Sequence, residues 1–463
     1  MKTICTLLCL LMAALLPVSA LAEELTLYCT SYRSTMNQTF QDDHPEVTIR
    51  TNFDEDSYPS FDQVLVDLLS RNFRWDMFNT YYSAGQARTL SDKQYLTDLG
   101  QSDVIREAVA RMPESIQRCV TNDRGEIFAL PHELTVSGHL MGFNTEVAAQ
   151  LGIEKPQTWA EFLQLIEDWE YDYADASEDA GLTLTEWDWP MAPTRLLSAM
   201  FDAYLAAHAD GRTVSFSTPE FTALMQTYDR HRPTLTRMYD EWVDSLNGAV
   251  NISYENKRPS LIIDSLPLLM DFDEEELYGD GIEPLFLSIT DDPADAVIPV
   301  ELEVLALCAG APHPELAMTY AEVLAAGQGD LQRILFEGGA DDTPIEDPGY
   351  ASRARTYERL IALTEMAIET DGETPELLEE LEQYRLEQAD SEYRRYLYSG
   401  ESIRQYAALA PLMRPMPFIS FYYFAENANT NYLLSAFALG NIPVDQFIRE
   451  FDHIQSMMAL EAQ

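Results

Sequence analysis

Positive charge is what this chain has least of: 29 Lys and Arg stand against 78 Asp and Glu in 463 residues, a formal net charge of −49. No basic cluster interrupts that excess, so DNA, RNA and anionic membrane surfaces are excluded as partners by repulsion. Cysteine is nearly as scarce. Cys5 and Cys9 fall in the first segment, and Cys29, Cys119 and Cys308 stand far apart, so there is no C-x-x-C metal or redox motif. Three such residues allow at most one internal disulfide, and the reading adopted is three buried small hydrophobes. The catalytic punctuation of common enzymes is also missing. There is no G-x-S-x-G elbow, no Walker loop and no G-x-G-x-x-G, and nothing groups a Ser or Cys nucleophile with a His. His132-Glu133 with His139 has the flavour of a zincin helix, but the second His would have to stand at position 136, which is Val136. Neither a metal nor a cofactor is expected.

What is present is ample core material, 46% hydrophobic and 11% aromatic residues, which places the chain among folded globular proteins. The length suits two or three units at roughly 150 residues each. Lys2, the apolar run Ile4 to Leu16, Pro17 and the small-residue site Ala20-Leu-Ala22 form a secretory leader cleaved after Ala22, too short and wrongly flanked for a membrane span. Without Lys2 the exported chain carries 28 − 78 = −50. Cys9 lacks the small residues that precede a lipoprotein cysteine, so no lipid anchor is expected, and the chain is placed in a periplasm or at a cell surface.

Strand-like runs alternate with helical ones in the first part: Leu25 to Cys29, a helical stretch Ser34 to Asp43, Val47 to Thr51, a helical stretch Phe61 to Leu69, then Trp75 to Asn79. That order predicts a parallel α/β sheet, whose loops after the strand ends form the ligand crevice. Further on, Thr158 with Glu161 makes a capping box after Pro156, and Thr218-Pro219 starts another helix. Leu261 to Asp264 and Val304 to Cys308 read as buried strands. From Tyr350 to Ser399 the sequence turns charged and helix-favouring, broken at Asp371-Gly-Glu-Thr-Pro375. This predicts an inserted antiparallel helical hairpin, with Leu360, Ile361, Leu363, Met366 and Ile368 on one apolar helix face and Leu377, Leu378, Leu381, Tyr384 and Leu386 on the next.

The order of several segments resembles the extracellular solute-binding proteins of ABC importers, the maltose-binding-protein arrangement and its sugar-binding branch. They are Leu25–Cys29, Phe40-Gln-Asp-Asp-His-Pro-Glu-Val-Thr-Ile49, Trp75-Asp-Met-Phe78, Gly125 to Pro131 and Leu140-Met-Gly-Phe-Asn144. Leu151-Gly-Ile with Pro156-Gln-Thr-Trp-Ala-Glu-Phe162 is the most specific, and Pro314 to Ala317 and Ala436 to Phe447 complete the set. The resemblance implies a two-lobed periplasmic-binding-protein fold of type II with hinge crossovers, closing on a ligand and docking on a membrane permease. Lobe one would take residues 23–132 and 298–338; lobe two would take 133–297 and 339–463, including the hairpin at 350–399. The hairpin is extra to the family, and Pro299-Val-Glu-Leu-Glu303 replaces its usual glycine-rich segment. The chain is read as a monomeric receptor, not an enzyme, that delivers a mono- or oligosaccharide.

A sugar offers hydroxyls at its edges and C–H groups on its faces, so its site needs aromatic platforms beside planar polar groups. Tyr32 follows the first strand, and Tyr81-Tyr82 follow the third. Each of these tyrosines packs equally well on a lobe surface. Glu133, with His132, sits at the crossover where maltose-type relatives place a ligand-contacting acid. Trp187-Asp-Trp189 suits a stacking wall or a core plug; Asp264 ends a strand and either meets ligand or caps the next turn. Tyr422-Tyr423 lies in a segment like the late aromatic ligand segment of the family; in a buried strand only one of the pair would face the ligand. Glu303 stands near the second crossover. A cationic ligand such as a polyamine is the rival within binding proteins, because acids and aromatics also hold cations. A secreted glycosidase is the rival enzyme, with its acid/base pair hidden among the carboxylates. An interaction module built on the hairpin is the third alternative.

Overall fold

The structure is a computed structural model and describes residues 23–29, 34–54, 61–81, 86–136, 140–185, 193–208, 214–246, 258–263, 281–327, 334–336, 342–347, 349–416 and 428–461. The leader call lies outside these residues. Among the described residues the strands are, in chain order, β1 (Glu23–Tyr28), β2 (Val47–Thr51), β3 (Met77–Tyr81), β4 (Leu130–Val136), β5 (Met141–Asn144), β6 (Thr183–Thr185), β7 (Ser260–Ile263), β8 (Ile282–Leu285), β9 (Ile298–Leu307), β10 (Ile345–Glu346), β11 (Tyr396–Tyr398) and β12 (Met413–Pro415). The chain divides into two compact units, one of residues 1–111, 117–133 and 303–328, the other of residues 112–116, 134–302 and 329–463. The boundaries fall inside β4, after Glu133, and inside β9, before Glu303.

In the first unit the helices Ser34–Asp43 and Phe61–Leu69 separate β1, β2 and β3, and β1 runs parallel to both neighbours, with Leu25 opposite Ile49 and Leu27 opposite Met77. The parallel sheet expected from the alternation is therefore present in these three strands. The fourth differs: β9 lies antiparallel beside β3, with Asn79 opposite Leu305 and Tyr81 opposite Glu303. A strand delivered from so far along the chain is not bound by the right-handed crossover that keeps neighbouring β-α-β strands parallel. Leu25, Leu27, Met77, Phe78, Leu305 and Leu307 are buried in it, as a sheet covered by helices requires.

A buried carboxylate ties this sheet together. Asp76, 0% exposed, accepts from the Thr26 backbone amide at 2.8 Å, from the Thr26 hydroxyl at 2.8 Å and from the His313 amide at 2.6 Å. Its own amide donates to the Thr26 carbonyl at 2.9 Å, and its carbonyl accepts from the Cys308 amide at 3.0 Å. One residue thus joins β1, the entry to β3, the end of β9 and the start of the helix Pro314–Gly327.

The second unit is built on the sheet β6-β7-β5-β8, with β6 parallel to β7 and β5 antiparallel to both its neighbours. Gly142 in β5 lies where a Cβ would come within 2.9 Å of Ile282 Cγ2 and 3.0 Å of Ile263 Cβ, so only glycine lets the flanking isoleucines close over the strand. The helix Trp159–Tyr171 starts on the expected capping box: the Thr158 hydroxyl accepts from the Glu161 amide at 3.2 Å, and the Glu161 carboxylate accepts from the Thr158 amide at 3.3 Å. Pro219–Leu246 begins as expected too, with the Thr218 hydroxyl accepting from the Phe221 amide at 3.1 Å. Phe201, Phe216, Phe221, Phe437, Phe447 and Phe451 pack ring against ring in its core.

The hairpin is present as helices Tyr350–Asp371 and Pro375–Tyr393, the second capped by Thr374. β10 pairs antiparallel with β11 at its base, so the insertion leaves and rejoins the unit at one place. Its apolar face is narrower than expected. Leu363, Met366, Leu378 and Leu386 are 49%, 57%, 45% and 61% exposed, while Leu381 and Thr364 are buried. Two helices crossing as a bare pair cover only the side chains that face each other.

Two outcomes follow. Asp76→Ala removes the shared acceptor of the Thr26 amide, the Thr26 hydroxyl and the His313 amide and should lower the unfolding free energy by about 3 kcal/mol in urea titration, whereas Thr26→Val, losing one hydroxyl, should cost about 1 kcal/mol. Cys29, Cys119 and Cys308 are buried and in no disulfide, and burial pushes the Cys308 thiol far above its ordinary range. A thiol reagent at neutral pH should therefore modify none of the three until denaturant is added, and then all three.

Candidate functional site

Among the sequence-derived site residues, Glu133 is described in full and Tyr81 through its backbone. Tyr32, Tyr82, Trp187, Trp189, Asp264, Tyr422 and Tyr423 lie outside the described residues. Glu133 is the residue around which a cluster forms.

The run Ile127 to Pro131 buries itself and continues as β4, which pairs with β9. His132 and Glu133 follow on that strand. β9 presents Glu303, which stands opposite Tyr81 in the β3 ladder. A nitrogen of His132 and one oxygen each of Glu133 and Glu303 all lie within 4.8 Å of one another. His132 is 6% exposed and Glu303 1%, while Glu133 is half-buried. Adjacent strand residues ordinarily send their side chains to opposite faces, yet His132 and Glu133 both come within reach of Glu303.

Asn79 completes the arrangement from β3. It is 2% exposed, and its Nδ2 donates to Glu303 Oε1 at 2.9 Å. That bond fixes the rotation of the Glu303 carboxylate and leaves its second oxygen directed elsewhere. The cluster therefore offers two carboxylates, an imidazole and an amide in one place, all belonging to the first unit. Such a set can accept from paired hydroxyls or hold a cation.

Sequence reasoning picked out Glu133 and noted Glu303, but it missed Asn79. An isolated Asn inside Trp75 to Asn79 carries no local signal, and its partner is 224 residues away. Two hollows on the second unit were missed as well. One, about 350 Å³, is lined by Ser217, Asp445, Arg449, Asp452 and His453 among others. The other, about 360 Å³ at the hairpin base, is lined by Arg353, Tyr357, Asp390, Arg394 and Tyr396 among others. There the Arg353 guanidinium, donating to Asp347 at 2.6 Å, holds that carboxyl below its ordinary range.

Solved structures share the arrangement of the chain. An uncharacterised protein of Listeria monocytogenes EGD-e matches with a TM-score of 0.52 at 13% identity, covering 94% of this chain and 100% of that one. The maltose-bound MalE3 of T. maritima matches at 0.51 and 14% identity, over 94% and 100% of the two chains. A sugar transporter of Rhizobium etli in an open conformation matches at 0.50 and 12% identity, over 94% and 99%. Neither a protein-family profile nor a curated relative matches the sequence.

Replacing Asn79 by Leu keeps the volume and removes the amide donor to a buried carboxylate. The urea midpoint should fall by an amount equivalent to about 1–3 kcal/mol; an unchanged midpoint would show that the bond to Glu303 contributes nothing. The three solved chains are each matched over nearly their whole length, and the likeness shows the fold: a mixed α/β chain of the two-unit periplasmic-binding-protein kind.

Proposed function

We propose that this chain is an exported substrate-binding protein that captures a mono- or oligosaccharide and hands it to an ABC permease. The observation that carries the reading is the fold, shared over 94% of the chain with a maltose-bound protein and a sugar transporter. Binding and release of an unaltered solute need no nucleophile or acid/base pair, which agrees with a sequence that groups no Ser or Cys nucleophile with a His. No helix of the described residues is long and apolar enough to cross a membrane. The leader Met1 to Ala22 accounts for export, and the acidic surface keeps the receptor soluble and monomeric outside the cell.

Glu133 supplies the polar half of recognition by accepting from sugar hydroxyls. Trp187, Trp189, Tyr422 and Tyr423, together with Tyr32, Tyr81 and Tyr82, supply the stacking faces, and Asp264 a further acceptor. Charged hydrogen bonds and aromatic stacking each carry about 1–3 kcal/mol in such sites.

The test is a thermal-shift screen of the exported chain against sugars, oligosaccharides, polyamines and amino acids, with each solute analysed afterwards. A ligand of the folded state must raise the melting temperature. The expected result is a shift with one class of sugar, recovered intact. Glu133→Ala, Trp189→Ala and Tyr423→Ala should each then weaken binding by about 1–3 kcal/mol. A shift with polyamines would move the ligand class, and a cleaved sugar would make the protein an enzyme.

A further inference from the structure

Solute capture does not call for an imidazole and two carboxylates converging at one point. A hydroxyl-binding site is served by a single planar acid and an amide. The group formed by His132, Glu133 and Glu303 is a different donor set: one nitrogen and two oxygens within 4.8 Å of one another, two of the three side chains more than nine-tenths buried. We propose that these three residues form a divalent-cation site of the kind that takes Zn²⁺.

The choice of ion follows from the donors. Calcium and magnesium are held by sets of six or more oxygens, waters included, whereas imidazole nitrogen mixed with carboxylate oxygen suits zinc in a four-coordinate site. Three protein donors leave the fourth position for water or a solute oxygen. Charge points the same way. When ligating, two carboxylates and an imidazole balance the +2 of one Zn²⁺ at a place where little solvent competes.

Two features of the surroundings support the assignment. Asn79 Nδ2 holds Glu303 Oε1 at 2.9 Å, the outer hydrogen bond that orients a ligating carboxylate while its other oxygen meets the metal. His132 and Glu133 both reach Glu303 although they are neighbours on one strand, a convergence that a shared cation rewards. The three ligands come from β4 and β9, at the last residues of the first unit before the chain leaves it and the first after it returns. A bound ion therefore clamps both passages to one another on the side of that unit. The site shares Glu133 with the proposed sugar contacts, but zinc binding by the unliganded chain is read without any solute.

The exported chain is stripped with EDTA, exchanged into chelator-free buffer, and titrated with Zn²⁺ in competition with a chromophoric zinc chelator. One equivalent should be held per chain, with a rise in melting temperature that EDTA reverses. Glu133→Gln and His132→Gln should each weaken that equivalent at least about 100-fold, and Asn79→Ala, which acts on Glu303 and touches no ion, about 10-fold. Co²⁺ in place of Zn²⁺ should give visible absorption bands that Glu133→Gln abolishes. Glu133 is half-buried, so its variant keeps the fold, checked by circular dichroism in EDTA, even should the His132 variant fail. Absence of any competition by the unaltered chain would overturn the site. So would a zinc affinity equal in the unaltered chain and Glu133→Gln, which would assign the ion to the acidic surface.

Discussion

The first unit depends on one buried carboxylate on which donors from distant segments converge. Asp76 is surrounded by N–H and O–H donors, and its backbone joins the same network through Thr26 and Cys308. Parallel strands and a helix N-terminus leave amides that must find acceptors. A single Asp at the entry to β3 collects them from β1, from His313 before the helix Pro314–Gly327, and from the end of β9. The distant segment 303–328 is thereby placed beside a sheet whose first strand begins at Glu23. The position of Glu303, and hence of the candidate site, follows from that placement.

The site is a consequence of register. Once β9 is antiparallel to β3 with Tyr81 opposite Glu303, the two-residue period of the strands puts Asn79 two steps along the same face, within reach of the Glu303 carboxylate. β4, which also pairs with β9, adds His132 and Glu133. A slip of one residue would turn Glu303 away and bring an apolar neighbour, Leu302 or Val304, into its place. The polar cluster and the apolar core of the first unit are thus specified by the same pairing. The second unit uses a different device, a ring-on-ring aromatic core gathered from helices hundreds of residues apart, such as Pro193–Ala207 and Val444–Glu461.

What the residues reveal in advance divides along the range of the interactions involved. The capping box at Thr158 and Glu161, the start at Thr218-Pro219 and the break at Asp371 to Pro375 are local competitions between side chain and backbone, and each appears where the sequence places it. The alternation of β1 to β3 with helices is likewise a short-range pattern. The antiparallel placement of β9, the need for glycine at position 142 and the reach of Asn79 to Glu303 are settled by partners far along the chain, and no window of residues contains them. Leu363 and Met366 show the opposite failure: a periodic apolar pattern is visible, but how much of it is covered depends on a neighbour that the pattern does not name. Glu133 was legible only through the resemblance, which implies a ligand-contacting acid at that point of the chain; its company in space was not.

The account stands or falls on whether the protein holds a solute without changing it. Isothermal titration of the chain from Glu23 with the sugar that most raises its melting temperature, followed by mass analysis of the recovered sugar, decides this directly. The account predicts one saturable site per chain and a sugar recovered with its mass unaltered. Continuous heat without saturation, with shorter or hydrolysed sugar in the cell, would contradict it.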